Sequence, residues 1–188
     1  MSIIVDDPAA QIAERVRMER ESRGWSLADL AARSDVSKAM LSKIEREEVS
    51  PTATLLGRIA TAFRMTLAEM LAPTAARPSR FMRVEDQPQW RDPASNYQRR
   101  QVFQSADFPM ELVEVHLPPG ARVGFPAASY TLIRQVAWVL SGRLEIRDGA
   151  EVFALKTGDR LEFGPPADSE FHNPGDKDCR YVVAVLRR

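Results

Sequence analysis

Apolar residues in the first third of the chain recur at helical spacing, and in the remainder they alternate every second position. Leu27, Leu30, Ala31, Val36, Leu41 and Ile44 predict two short helices that share one core. Each helix is opened by a serine, Ser26 and Ser37, whose hydroxyl can cap free N–H groups of the first turn. Asp35 falls at the tight turn between them, where a left-handed residue is commonly needed and Asp tolerates that conformation. From Arg80 the period is near two: Phe81–Val84, Arg100–Phe103, Leu112–Leu117, Val136–Leu140, Arg143–Ile146, Val152–Leu155, Arg160–Phe163 and Tyr181–Leu186 read as strands. Turn signals separate most of them, among them Pro118-Pro-Gly, Ser141-Gly, Asp148-Gly, Thr157-Gly-Asp and Asn173-Pro-Gly. Such spacing indicates a sandwich or small barrel, and no repeated unit is visible. Pro73 and Pro78 interrupt the helical pattern, so the domains are set at 8–72 and 80–188 with a linker and hinge at 73–79.

The second helix of the pair leaves Lys38, Ala39, Ser42 and Lys43 on its outer face. That face is short, polar, basic at two points and free of acid, which suits insertion between phosphate walls. An ordinary helical hairpin with two solvated lysines satisfies the same periodicity. The wider segment from Gln11 to Leu71 resembles the lambda-repressor-like (XRE-type) DNA-binding family. The resemblance rests on Ile12, Val16 and Arg20, then Ser26-Leu-Ala-Asp-Leu-Ala, Val36 to Arg46, Ser50 to Ala60, and Met65-Thr-Leu-Ala-Glu-Met-Leu. It implies a five-helix domain on double-stranded DNA, with base contacts from Lys38, Ala39 and Lys43. It also implies phosphate contacts from Ser26, Ser37, Ser42 and Arg46, and an interior ion pair between Arg20 and Glu45. One such module covers a half-site, so the partners expected are a palindromic operator and a second copy of the chain, joined through barrel edges.

The order Pro118-Pro-Gly120, Val139 to Ile146 around Gly142, Thr157-Gly158-Asp, and Asn173-Pro-Gly175 is similar to that of the cupins. The fold class is therefore multidomain α + β: a five-helix lambda-repressor-like domain, then a cupin jelly-roll β-barrel. Metal-binding cupins carry two histidines and a glutamate ahead of a glycine, and a histidine ahead of an asparagine. Laid on this chain, those slots fall on Pro126, Ala128, Gln135 and Ser169, none a competent ligand for a transition metal. The expectation is a barrel with no metal and no cofactor. His116 and His172 are the only histidines, and His172 should point away from the slot face.

Strand alternation puts Gln135, Ala137 and Val139 on one face and Ser169 with Phe171 on another. Arg122, Pro126 and Ala128 line up on a third wall, and a small solute fixed by Arg122, Gln135 and Ser169 against Phe171 and Val139 is the expected effector site. Packing alone would make Gln135 and Ser169 satisfied core residues and Arg122 a solvated edge charge, and the pattern does not decide between the two. Whether Glu114 and His116 face solvent or lumen is equally open.

Composition adds three constraints. Lys plus Arg and Asp plus Glu are 26 each, so DNA affinity must come from a local patch and not from a global field. No apolar run approaches the roughly 20 residues that span a membrane, and no secretory pattern opens the chain. The single cysteine, Cys179, excludes an internal disulfide, reads as a buried inert thiol and fits a cytoplasmic site of action. The reading is a non-enzymatic DNA-binding regulator whose barrel dimerises and senses a small molecule. Its rival is a cupin isomerase or dioxygenase with an accessory DNA-binding domain.

Overall fold

The computed structural model describes residues 8–72, 80–105 and 107–187. The chain divides into two compact units, Met1–Ala76 and Arg77–Arg188. The linker and hinge expected at 73–79 lie outside the described residues.

The first unit holds α1 (Pro8–Ser22), α2 (Leu27–Ser34), α3 (Lys38–Glu45), α4 (Ala53–Phe63) and α5 (Leu67–Leu71). Helices α2 to α5 each start at a hydroxyl cap, Ser26, Ser37, Thr52 and Thr66, whose oxygen accepts an N–H three residues on. Removing one such cap typically costs about 1 kcal/mol. Asp35 closes α2 in the left-handed region, φ 54°, as its place in the sequence suggests. Leu30, Val36, Leu41 and Ile44 are buried, while Leu27 and Ala31 are only half-buried. Ile12, Val16, Leu56, Ile59 and Phe63 complete the core. Among the described residues no helix is long and apolar enough to cross a membrane.

The second unit is built of β1 (Gln89–Arg91), β2 (Gln98–Gln104), β3 (Met110–Leu117), β4 (Arg122–Phe125), β5 (Ile133–Ser141), β6 (Arg143–Asp148), β7 (Glu151–Lys156), β8 (Arg160–Glu162), β9 (Ser169–His172) and β10 (Cys179–Arg187). They form a six-stranded sheet, β1-β2-β3-β10-β5-β8, and a four-stranded sheet, β4-β9-β6-β7, both antiparallel. The inner faces meet where Phe171 of β9 stacks on Tyr181 of β10, ring centres 5.7 Å apart and planes within 5°. That contact fixes which residues point inward. Gly142 joins β5 to β6 with φ 87°, and a Cβ there would meet Asp178 O and Cys179 Cα at 2.9 Å. Only glycine fits that turn. Asn173 is fully buried and donates to Leu117 O and Lys177 O, both at 2.8 Å, which ties the turn before β10 to the end of β3.

One expected strand is absent. Phe81, Met82 and Val84 are 70%, 41% and 58% exposed, and Val84–Asp86 is a 3-10 turn. Alternation there marks an amphipathic run, but a strand also needs a neighbour to pair with, and Pro88 removes an amide donor just before β1.

Candidate functional site

On α3, Lys38, Ala39 and Lys43 are exposed and Ser42 is half-buried, while Leu41 and Ile44 on the opposite side sit in the core. The face expected to meet DNA is therefore free among the described residues of this unit. Ser37 Oγ accepts the Met40 amide at 3.2 Å, and α3 has no acid in its first turn. The start of α2 differs. Ser26 Oγ accepts the Asp29 amide and donates to Asp29 Oδ2 at 2.7 Å, and Asp29 Oδ2 takes the Ser26 amide at 2.9 Å. These hydrogen bonds from Ser26 hold the Asp29 carboxyl below its ordinary range. A carboxylate already sits on the electropositive end of α2, so Ser37 suits a phosphate better than Ser26 does. Arg46 is exposed and pairs with Glu48 at 2.8 Å.

Two contacts hold this face in place. Arg20 of α1 donates from Nε to Glu45 Oε1 at 2.7 Å and from Nη2 to Oε2 at 2.8 Å, and from Nη1 to Trp25 O at 3.0 Å. The side chains are 13% and 9% exposed, so this fork clamps α3 onto α1 from inside. The Glu45 hydrogen bond raises the Arg20 pKa above its ordinary value. The second contact was not foreseen: Arg58 of α4 donates to Asp35 O at 3.1 Å and Oδ2 at 3.0 Å across the turn. The left-handed Asp35 was the available signal, since such a turn exposes a carbonyl and a carboxylate together.

In the barrel the four expected site residues separate. Arg122 is not in the lumen. Its side chain is 52% exposed and donates to Glu170 at 2.8 Å, beside Arg147, on the outer face of the four-stranded sheet. The expectation carried strand parity through Pro126 and Ala128, but β4 ends at Phe125 and a 3-10 turn follows at Ala127–Tyr130. Inward positions of β4 are thus Val123 and Phe125, paired with Phe171 and Ser169. Gln135, Ser169 and Phe171 do point inward, being 8%, 5% and 4% exposed. Phe171, however, is a core ring packed among Phe125, Phe163 and Tyr181.

Tyr130 is the residue the sequence reading missed. Its hydroxyl lies against Ser169 Oγ in a short hydrogen bond, Gln135 reaches the same hydroxyl, and burial pushes the phenol pKa far up. Its ring stacks on Phe163, 6.1 Å between centres. Gln135 Nε2 is buried with no hydrogen-bond partner. Beside this group opens a cavity of about 540 Å³ lined by Tyr130, Ile133, Gln135, Asp148, Phe163 and Pro165 among others. A lone aromatic between Ala128 and Ile133 was the only sequence signal for it.

Glu114 and His116, open from the sequence, face out of the barrel. Glu114 is 5% exposed because Arg100 and Arg180 fold over it, Arg180 donating at 2.6 Å. His116 stands 3.4 Å from the same carboxylate, yet burial and then Arg180 lower its pKa below the ordinary histidine value. His172 pairs outward with Glu145 at 3.4 Å. Cys179 is fully buried and its thiol is pushed up to about 11 by burial.

The residues at the cupin ligand slots do not fit a metal. Pro126 and Ala128 offer no donor, Gln135 is a neutral amide, and Ser169 is engaged with Tyr130. Among the described residues no group of three or more His, Cys, Asp or Glu is gathered to hold one.

A five-helix unit with a free basic helix face, joined in one chain to a jelly-roll barrel, defines a DNA-binding transcription regulator. Residues 16–70 match the helix-turn-helix family model and residues 113–185 the cupin domain model, so the chain combines an XRE-type helix-turn-helix domain with a cupin domain. It is homologous to the HTH-type transcriptional regulator SutR of Escherichia coli K12, 27% identical over 184 residues that cover 94% of this chain and 95% of SutR. A crystal structure of an HTH_3 family transcriptional regulator from Vibrio cholerae superposes with a TM-score of 0.80 at 22% identity, covering 96% and 97% of the two chains. The hydroxypropylphosphonic acid epoxidase of S. wedmorenis aligns more weakly, TM-score 0.46 at 16% identity over 95% and 97%.

Proposed function

We propose that α3 of this regulator reads an operator in the major groove, with Lys38, Ala39 and Lys43 over base edges. Ser37, Ser42 and Arg46 contact phosphates, and Ser26 contributes less because Asp29 opposes an anion there. The observation that carries this reading is the exposed, acid-free start and outer face of α3. The barrel is a metal-free sensor without catalytic function: a small-molecule effector enters the cavity beside Gln135, Tyr130 and Ser169. The protein acts in the cytoplasm, and its domains are 8–72 and 80–188.

The barrel also supplies the second copy that a palindrome requires. For that role the edges of the six-stranded sheet are short, β1 and β8 being three residues each, and β7 of the other sheet is the longest edge at six. The outer face of the six-stranded sheet suits it better. Cross-strand register aligns Leu112, Ala184 and Val136 in one row and sets Val182 beside Trp138 in the next. Trp138 is 51% exposed, Leu186 48% and Phe103 38%, an apolar surface of the kind a homodimer buries.

Sedimentation and operator titration of the full chain test this. Trp138→Asp should be monomeric and should bind a palindromic operator about a hundredfold more weakly, through loss of the second contact. A Trp138→Asp protein that remains a dimer with full affinity would show that the interface lies elsewhere.

A further inference from the structure

The inner face of the six-stranded sheet carries a guanidinium that no carboxylate answers among the described residues. Register places Trp90, Arg99, Val115, Tyr181 and Val139 in one cross-strand row. Tyr181 is the ring that meets Phe171 of the opposite sheet, and Trp90, Val115, Tyr181 and Val139 are all buried. Arg99 therefore points into the barrel. Its neighbour Arg100 points out and is answered by Glu114 and Gln87. Arg99 has no such partner: its Nε is buried without a hydrogen bond, although the side chain as a whole is only half-buried and keeps a path to solvent.

What surrounds Arg99 is phenolic. Burial raises the pKa of Tyr97 and of Tyr181, and the Arg99 charge, with a hydrogen bond to Tyr97, pulls part of the way back. The Tyr130 pKa is raised by burial as well, with a smaller electrostatic contribution from Tyr97. The interior thus offers one cation, neutral hydroxyl donors and a Gln135 Nε2 without a hydrogen bond, while among the described residues the Asp92 and Asp148 carboxylates act on Tyr97 and Tyr130 without forming an ion pair with Arg99. A charge drawn partly out of water with no ion pair carries a desolvation cost, which a core built for packing alone avoids.

We propose that the effector is a small organic acid whose carboxylate binds Arg99 and the Tyr97 hydroxyl. This assignment rests on the barrel being an effector site, and it supplies the chemical class of that effector. A carboxylate carries the single charge that one guanidinium neutralises and matches its planar donor fork, whereas a phosphate dianion would leave charge uncompensated among aromatic rings. Arg122, the arginine expected in this role, is spent on Glu170 outside the barrel.

The test is thermal unfolding of the full chain at constant ionic strength, with benzoate, benzamide or inorganic phosphate, in wild type, Arg99→Met and Arg122→Gln. Benzoate should raise the midpoint of wild type and Arg122→Gln, and its apparent affinity for Arg99→Met should be weaker by about tenfold or more. Without any anion, Arg99→Met should melt at or above wild type, because it removes an unanswered charge. A lower midpoint for that variant would make Arg99 structural and overturn the proposal. Equal benzoate responses in wild type and Arg99→Met would overturn it too. Benzamide binding as well as benzoate would remove the anion and leave the sensor reading. Phosphate acting more strongly than benzoate through Arg99 would overturn the carboxylate. Benzoate held by Arg99 with no change in operator affinity would keep the anion site and retire the effector role.

Discussion

Polar groups inside the helical unit are largely paired with one another, whereas the barrel pairs some, such as Asn173, and leaves a nitrogen of Gln135 and of Arg99 without a partner. Arg20 gives hydrogen bonds to both oxygens of Glu45 and to Trp25 O. Arg15 leaves its Nε unpartnered, but its other nitrogens reach Glu19 and Ala72 O. In the barrel, Gln135 Nε2 and Arg99 Nε stay unanswered, and Tyr130 and Ser169 satisfy only each other and Gln135. A paired interior is complete as it stands and holds a surface rigid for contact. An unpaired interior is incomplete until something else enters, because buried donors want partners. On the proposed function, the two units differ in where they act, one on its outside and one on its inside.

The largest effect expected from this contrast is on the paired side. Glu45→Ala strands Arg20 in a nearly closed site and should lower the stability of the helical unit by about 3 kcal/mol, read by denaturant unfolding. An unchanged unfolding midpoint would mean the fork contributes nothing net. Next, Lys43→Ala should cost about 1–3 kcal/mol at the cognate operator with unfolding unaltered, since the Lys43 side chain is exposed. Equal losses on random DNA would reduce Lys43 to a phosphate contact. On the unpaired side, Gln135→Met should be neutral or stabilising by about 1 kcal/mol, because it removes a buried Nε2 that has no hydrogen bond at the expense of one contact to the Tyr130 hydroxyl. A clear loss of stability would show that Gln135 is already satisfied, and the contrast between the units would weaken.

The smallest effect is a pH dependence. His116 has its pKa lowered in the folded state, so the unfolded chain binds its proton first as pH falls. Its contribution is present above the ordinary histidine pKa near 6.5 and is lost as pH falls through the lowered folded value. His116→Gln should flatten the stability curve just below pH 6.5, and an unchanged slope would place the titration elsewhere.

The helical unit was legible nearly to the residue because helix caps, turn residues and core spacing are local signals. Ser26, Ser37 and Asp35 act where their spacing put them. What escaped was the Arg58 contact to Asp35, which joins residues far apart in sequence. The barrel was legible as strands and turns, with β2, β3, β5, β6, β7, β8 and β10 all foreshadowed by alternation. Its interior was not. Strand parity holds only while a strand lasts: carried back from Pro126 and Ala128 it misplaced Arg122, which β4 turns outward, and the turn after Phe125 that brings Tyr130 in lay outside its reach. Arg99 was passed over for a different reason. Arg99 and Arg100 are adjacent and identical, and only the register of β2 on β3 tells which one faces the lumen.

The central claim, that α3 reads a symmetric sequence from two copies of the chain, is tested most directly by selecting bound DNA from a random pool with the full protein. The account predicts enrichment of a palindrome with at least one G·C pair in each half-site and half-site centres about 34–36 Å apart, lost when Lys38 and Lys43 are both replaced by Ala. Recovery of no common sequence, or of one that the double variant selects equally well, would contradict it.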